Sequence, residues 1–266
     1  MDNDDMLVGR LLSRREVLAM FGVAGAALVV GCSDTGPGKP APTSGATEAL
    51  TGDATQAATS AVATNSVPSC VVRPAETEGP YFVDEKLNRS DIRADPTDGT
   101  VKDGVPLVLT FMVSEVGSGS SCSPLANATV DVWHCDALGV YSGVSDNAQG
   151  FNTVGKKFLR GYQVTDASGK AQFTTIYPGW YQGRTVHIHF KIRTQSGKSR
   201  EFTSQLFFDE DVSDLVYARA PYNLKGQRST RNANDMVYQG GGGQLLLDLT
   251  PSGDGYAATF DIGLQN

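Results

Sequence analysis

Residues 184–193 read Arg184-Thr185-Val186-His187-Ile188-His189-Phe190-Lys191-Ile192-Arg193. Side chains that suit a core alternate with side chains that suit an exposed or functional face, the period-two pattern of a β-strand. On such a strand Val186, Ile188 and Phe190 point into a core, and His187 and His189 share the opposite face. Two residues of strand span roughly 6.6 Å, a separation from which two imidazoles can converge on one metal ion. The chain has 3 His and 4 Cys, so an imidazole-rich site would use most of the histidines there are.

The same pattern recurs on both sides of this run. Pro106 to Glu115 sets Leu107, Leu109, Phe111 and Val113 on one face. Ala128 to Cys135 sets Val130 and Val132 opposite Asp131 and Trp133. Tyr162–Thr165 and Ala171–Ile176 flank Asp166-Ala167-Ser168-Gly169, which reads as a hairpin turn. Glu201–Phe208 is a further strand, and Leu245–Leu249 and Tyr256–Ile262 flank Pro251–Gly255 as a second hairpin. Only Asp209–Ala220 reads as helix. With 30 Gly and 12 Pro among 266 residues, the pattern predicts an all-β fold. The expected architecture is a β-sandwich of mixed or antiparallel sheets, with long site-bearing loops and little helix.

The N-terminal part has a different character. Arg14-Arg15 precedes an apolar run, Val17 to Gly31, that closes at Cys32. The run is too short for a comfortable helix across a bilayer of roughly 30 Å and matches a secretory h-region. Paired arginines at this position read as a Tat export signal. Val29-Val30-Gly31-Cys32 resembles a lipobox, which makes Cys32 the candidate lipidation site. Residues 33–68, rich in Ala, Thr, Ser, Gly and Pro, read as a flexible linker. The expected organisation is a signal peptide over residues 1–32, the linker, and a folded domain over residues 69–266. That domain is expected at the outer face of the cytoplasmic membrane or the cell surface, touching the membrane only through a lipid on Cys32.

Composition narrows the partners. The net charge is −7, from 22 Lys+Arg against 29 Asp+Glu, and no basic stripe suits a nucleic-acid backbone. In an oxidising compartment Cys70, Cys122 and Cys135 allow one disulfide and one free thiol. Cys122 and Cys135 flank a strand that would hold them apart, which disfavours that pair.

Beside two histidines, further metal ligands must be carboxylates, thiolates or phenolates. No Asp or Glu sits at tight spacing near the pair, as a ferrous two-His-one-carboxylate site would require, and no Met or Cys adjoins it to suit copper. Phenolate is the unusual choice. A phenol with pKa near 10 stays ionised at neutral pH only on a strongly Lewis-acidic ion such as ferric iron.

Trp133-His134-Cys135-Asp136-Ala137, Gly139-Val140-Tyr141-Ser142, Pro178-Gly179-Trp180-Tyr181, Gly183-Arg184 and His187-Ile188-His189, in that order, resemble the intradiol ring-cleaving dioxygenases. Thr77-Glu78-Gly79-Pro80-Tyr81 resembles that family's N-terminal active-site segment, and Ser204-Gln205-Leu206-Phe207-Phe208 its late strand. The resemblance runs from about Cys70 to the C-terminus and is most like the short exported members, related to protocatechuate dioxygenase. It implies Fe(3+) held by Tyr141, Tyr181, His187 and His189, with Arg184 and Gln205 as active-site residues. Gly79, Pro80 and Tyr81 would line the substrate pocket. The implied reaction inserts both atoms of O2 into a catechol-type diol. The ring opens between the two hydroxylated carbons, giving a cis,cis-muconate-type diacid. Tyr181 would leave the metal as a proton acceptor, and Arg184 would stabilise negative charge on the ring.

His134 shares its strand face with Val130 and Val132 and reads as a satisfied core histidine. Arg93, Arg228 and Arg231 are candidates to bind a carboxylate on the substrate, should it carry one. The competing reading is a non-enzymatic exported β-sandwich binding module. It needs no convergence of Tyr141, Tyr181, His187 and His189.

Overall fold

The strand Pro106–Val116 (β1) is the central element of the first sheet. It forms because its alternating side chains bury Leu107, Leu109, Phe111 and Val113 almost completely. In this computed structural model the described residues are 71–117, 121–194 and 200–265. The export signal, Cys32, the 33–68 linker and Cys70 lie outside them.

After β1 come Cys122–Pro124 (β2), Thr129–Trp133 (β3), Ser145–Asp146 (β4), Phe151–Asn152 (β5), Arg160–Val164 (β6), Lys170–Ile176 (β7), His187–Thr194 (β8) and Arg200–Phe207 (β9). Two short helices follow, Glu210–Tyr217 (α1) and Met236–Gly241 (α2), then Thr250–Ser252 (β10) and Gly255–Gln265 (β11). In the first sheet β1 pairs in parallel with β11 and antiparallel with β2 and β7, and β10 adds to β11. The second sheet runs β6-β3-β8-β9, antiparallel throughout. The fold is a β-sandwich of one mixed and one antiparallel sheet, as the alternation implies.

The core lies between the sheets. Phe111 of β1 and Phe260 of β11 meet Phe190 of β8 at ring-centroid distances of 5.2 and 5.6 Å. Val130, Val132, Ile188 and Ile192 complete this layer from the second sheet. The opposite face of that sheet carries Trp133, His187, His189, Lys191 and Gln205. The register sets His189 beside Trp133 on one side and beside Gln205 on the other.

Three local expectations are corrected. The Asp166–Gly169 turn exists, with the Gly169 amide donating to Asp166 O at 2.9 Å, yet its flanks do not pair as a hairpin. The chain crosses between sheets at this turn, β6 pairing with β3 and β7 with β1. The run Leu245–Leu249 does not form a strand: Leu245 closes the preceding turn, and Leu246 makes an isolated bridge to Phe207. The hairpin before β11 uses β10 instead. The histidine strand begins at His187 and not Arg184, because the Thr185 amide and hydroxyl bond to Asp235 and Asn232.

The helix expected over 209–220 is α1, capped by Asp209, whose carboxylate accepts the amides of Asp211 and Val212. Cys135 is buried and free. Cys122 is disulfide-bonded, to a partner outside the described residues.

Candidate metal centre

Both histidines of β8 are buried, 2% and 1% exposed. His187 Nδ1 lies 2.6 Å from the Thr185 carbonyl. That contact requires the proton on Nδ1 and turns the Nε2 lone pair inward. His189 is held flat by Trp133, ring centroids 5.0 Å apart and planes 7° apart. On another side Gly79 presses on it: at φ +72°, a Cβ there would stand 3.1 Å from His189 Cε1. Lys191, two residues on, pairs with Glu78 and anchors the segment that carries Gly79.

The two tyrosines come from loops. After β3, Asp136 folds the chain back: its carboxylate accepts the amides of Leu138 and Val140, each at 3.0 Å. The Asp136 carbonyl also takes the Gly179 amide at 3.1 Å, which ties this loop to the Pro178–Gly183 turn. Only glycine fits at 179, because a Cβ would sit 2.4 Å from Asp136 O. The close approach brings the tyrosines together.

Four donor atoms then converge. The Tyr141 and Tyr181 hydroxyls lie 3.3 and 3.1 Å from His187 Nε2, and His189 Nε2 lies 3.1 Å from it. Donors bonded at about 2.0–2.1 Å to a common ion stand roughly 2.9–3.3 Å apart, and each of the three other donors stands at that spacing from His187 Nε2. Two imidazole nitrogens facing each other at this distance either share one proton or direct both lone pairs at a common cation.

Burial pushes both phenols above their ordinary pKa and both imidazoles below theirs, His187 to about 3, with Arg184 adding to the depression of both histidines. Without a cation the cluster is therefore neutral, and ionising the phenols takes a strong Lewis acid. Among the described residues no three His, Cys, Asp or Glu side chains group as a metal site, so a metal here takes phenol oxygens.

Arg184 is aimed by two partners. Its Nε donates to Asp235 Oδ2 at 2.8 Å and its Nη2 to Gln205 Oε1 at 2.7 Å. Gln205 is in turn held by donating to the Thr77 carbonyl at 2.8 Å.

The family described as Dioxygenase matches residues 77–265. A solved intradiol ring-cleavage dioxygenase from Tetranychus urticae is 30% identical, covers 74% of this chain and 94% of its own, and superposes with a TM-score of 0.63. The chain belongs to the intradiol ring-cleaving dioxygenases.

Members of this family use non-haem iron. Catechol 1,2-dioxygenase 2 of Acinetobacter lwoffii is 34% identical over 156 residues, 52% of each chain. The protocatechuate 3,4-dioxygenase beta chain of Burkholderia cepacia is 30% identical over 182 residues, 64% of this chain and 71% of that one. The chain thus spans about half the length of the curated catechol dioxygenase it matches.

Around the cluster, Tyr81 stacks on Tyr141 at 4.4 Å and meets Tyr181 edge-on at 5.9 Å. Its hydroxyl donates to the Asp146 carboxylate. Pro80 is exposed beside it, and Gly79 backs His189. His134 is a core residue, fully buried, with its two ring nitrogens 2.7 Å from Cys135 O and 2.6 Å from Thr175 Oγ1.

The candidate carboxylate binders are otherwise engaged. Arg93 pairs with Asp91 at 2.7 Å, and Arg228 and Arg231 both pair with Glu210 and Asp214 of α1 at 2.7–2.9 Å. Sequence reasoning missed Asp235, Asn232 and Glu76. Asp235 heads a helix as an Asp N-cap does, but nothing local links it to Arg184.

Proposed function

We propose that residues 69–266 form an Fe(III)-dependent intradiol dioxygenase that inserts both atoms of O2 into a catechol-type diol. The product is a cis,cis-muconate-type diacid. The observation that carries this reading is the convergence of two phenol oxygens and the His189 Nε2 nitrogen within 3.1–3.3 Å of His187 Nε2. Tyr141, Tyr181, His187 and His189 would hold the ion. Bound there, ferric iron supplies the Lewis acidity that ionises the phenols and the substrate diol.

The remaining work belongs to the protein. Tyr181 sits on a turn and is suited to swing away, its phenol oxygen taking one hydroxyl proton of the catechol. Arg184, fixed by Asp235 and Gln205, directs its guanidinium at negative charge developing on the ring. Tyr81, stacked on Tyr141, walls the site and limits water.

Three measurements together test the reading: iron content, the visible tyrosinate-to-iron absorption, and oxygen uptake over a panel of plain, carboxylated and hydroxylated catechols. A coloured iron protein that consumes one O2 per catechol supports it. A colourless protein holding zinc or no metal overturns it and favours the binding module. We also propose that residues 1–32 direct Tat export and that Cys32 carries the lipid anchor. Cys32→Ser would then release the protein from the membrane fraction, and retention there would rule the anchor out.

A further inference from the structure

Arg160 opens β6 opposite Trp133 in the β3–β6 register, on the sheet face that carries the histidines. It is 3% exposed, and no ion pair to a carboxylate forms there among the described residues. Its Nε donates to Ser142 O and Oγ at 3.0 and 2.9 Å, its Nη2 donates again to Ser142 O at 2.5 Å, and its Nη1 is buried with no partner. All of its side-chain hydrogen bonds therefore go to the residue that follows Tyr141.

A buried cation is costly unless an anion faces it. Burial lowers the Arg160 pKa to about 10, while the charges of Tyr141 and Glu85 act to raise it. Glu85 is already paired with Lys157. The Ser142 carbonyl and hydroxyl oxygens are the acceptors that answer this guanidinium.

The two tyrosines are held very differently. The Tyr141 carbonyl accepts Thr153 Oγ1 at 2.5 Å, Ser142 Oγ donates to Phe158 O at 2.5 Å, and Tyr81 stacks on the ring. The Tyr181 carbonyl accepts only the Arg184 amide, at 3.4 Å, within a turn that Gly183 closes at φ +90°.

We propose that Arg160 is the positioning residue of Tyr141: its hydrogen bonds to the carbonyl and hydroxyl of Ser142, the next residue, clamp the backbone that carries this phenol. The clamp makes the two tyrosines unequal, Tyr141 held in place and Tyr181 able to leave. The inference rests on the metal reading above, and its test separates the two.

Arg160→Lys keeps the charge but loses the fork that grips Ser142. Iron-loaded protein is compared in two backgrounds, Tyr181→Phe, where the visible band belongs to Tyr141, and Tyr141→Phe, where it belongs to Tyr181. R160K moves the band maximum in the first background and leaves it in place in the second. In otherwise wild-type protein it lowers kcat about 10- to 100-fold with KM within about twofold. A band that stays put in the Y181F background, or moves equally in both, overturns the proposal. Where any of these variants fails to fold or to load iron, Ser142→Ala in the wild-type background decides. It removes one acceptor of Arg160 and shifts the band if the clamp is real, and an unshifted band sinks it. Failure of the metal reading looks different, because the wild-type protein then has no band at all.

Discussion

Asp235 Oδ2 accepts both Arg184 Nε, at 2.8 Å, and the Thr185 amide, at 2.7 Å. Its other oxygen accepts the amides of Val237 and Tyr238 at 2.8 and 3.0 Å and so caps α2. One buried carboxylate thus joins the helix start, the entry to the histidine strand and the site arginine. Burial opposes its charge, but Arg184 and the amides outweigh that and hold its pKa below the usual carboxylate range.

Asp235→Asn keeps the shape but turns a donor toward Arg184 or Thr185. Losing one charge-assisted bond is worth about 1.5–3 kcal/mol, so kcat/KM falls about 10- to 100-fold while iron content is unchanged. Steady-state oxygen uptake beside metal analysis reads this out. Unaltered kinetics would remove Arg184 from the chemistry.

Gly179→Ala places a methyl 2.4 Å from Asp136 O, a backbone atom that cannot swing aside. The two tyrosine loops must separate, at a cost of about 1–3 kcal/mol. Thermal denaturation should show the loss, and iron binding should weaken with it. A variant that loads iron as the wild type does would mean the loops need not touch.

The metal-free protein should be acid-sensitive well above the ordinary carboxylate range. His134 is pushed down to about 4 and His187 to about 3 by burial, and His189 lies well below its usual value. These histidines make no difference to stability above about pH 6.5, where both folded and unfolded chains hold them neutral. As pH falls below that value only the unfolded chain takes up protons, and each histidine costs about 1.4 kcal/mol per pH unit until its folded pKa is reached. Urea unfolding of apoprotein at pH 7, 6 and 5 should therefore give steadily lower midpoints. Equal midpoints would contradict the buried neutral imidazoles.

Glu76 has the opposite sign. Burial pushes its carboxyl up to about 7 from 4.5, with Arg184 pulling it back down and Asp235 pushing it further up. A folded pKa above the unfolded one means stability is lost as pH rises from about 4.5 through about 7. Glu76→Gln mimics the protonated form, so its melting temperature should match the wild type at pH 5 and exceed it at pH 8. A lower melting temperature at pH 8 would mean that the charged carboxylate is needed.

Much of this arrangement is legible in the chain because it is encoded by near neighbours. Alternation over 106–115 and 184–193 places Phe111 in the core and sets His187 and His189 on one face, since successive strand side chains must point to opposite sides. The Pro178-Gly179 turn likewise marks a place where backbones can approach closely. What could not be read is partner choice. Asp166–Gly169 reverses the chain whether its flanks pair with each other or with strands of two different sheets, and only packing of the whole sandwich selects the second. Arg184 with Asp235, and Arg160 with Ser142, are separated by 51 and 18 residues. Such pairs exist because the fold leaves each buried charge facing an acceptor. Local pattern determined which residues stand on the reactive face, and the tertiary structure decided which groups hold them there, because hydrogen-bond partners are chosen by distance in space and not along the chain.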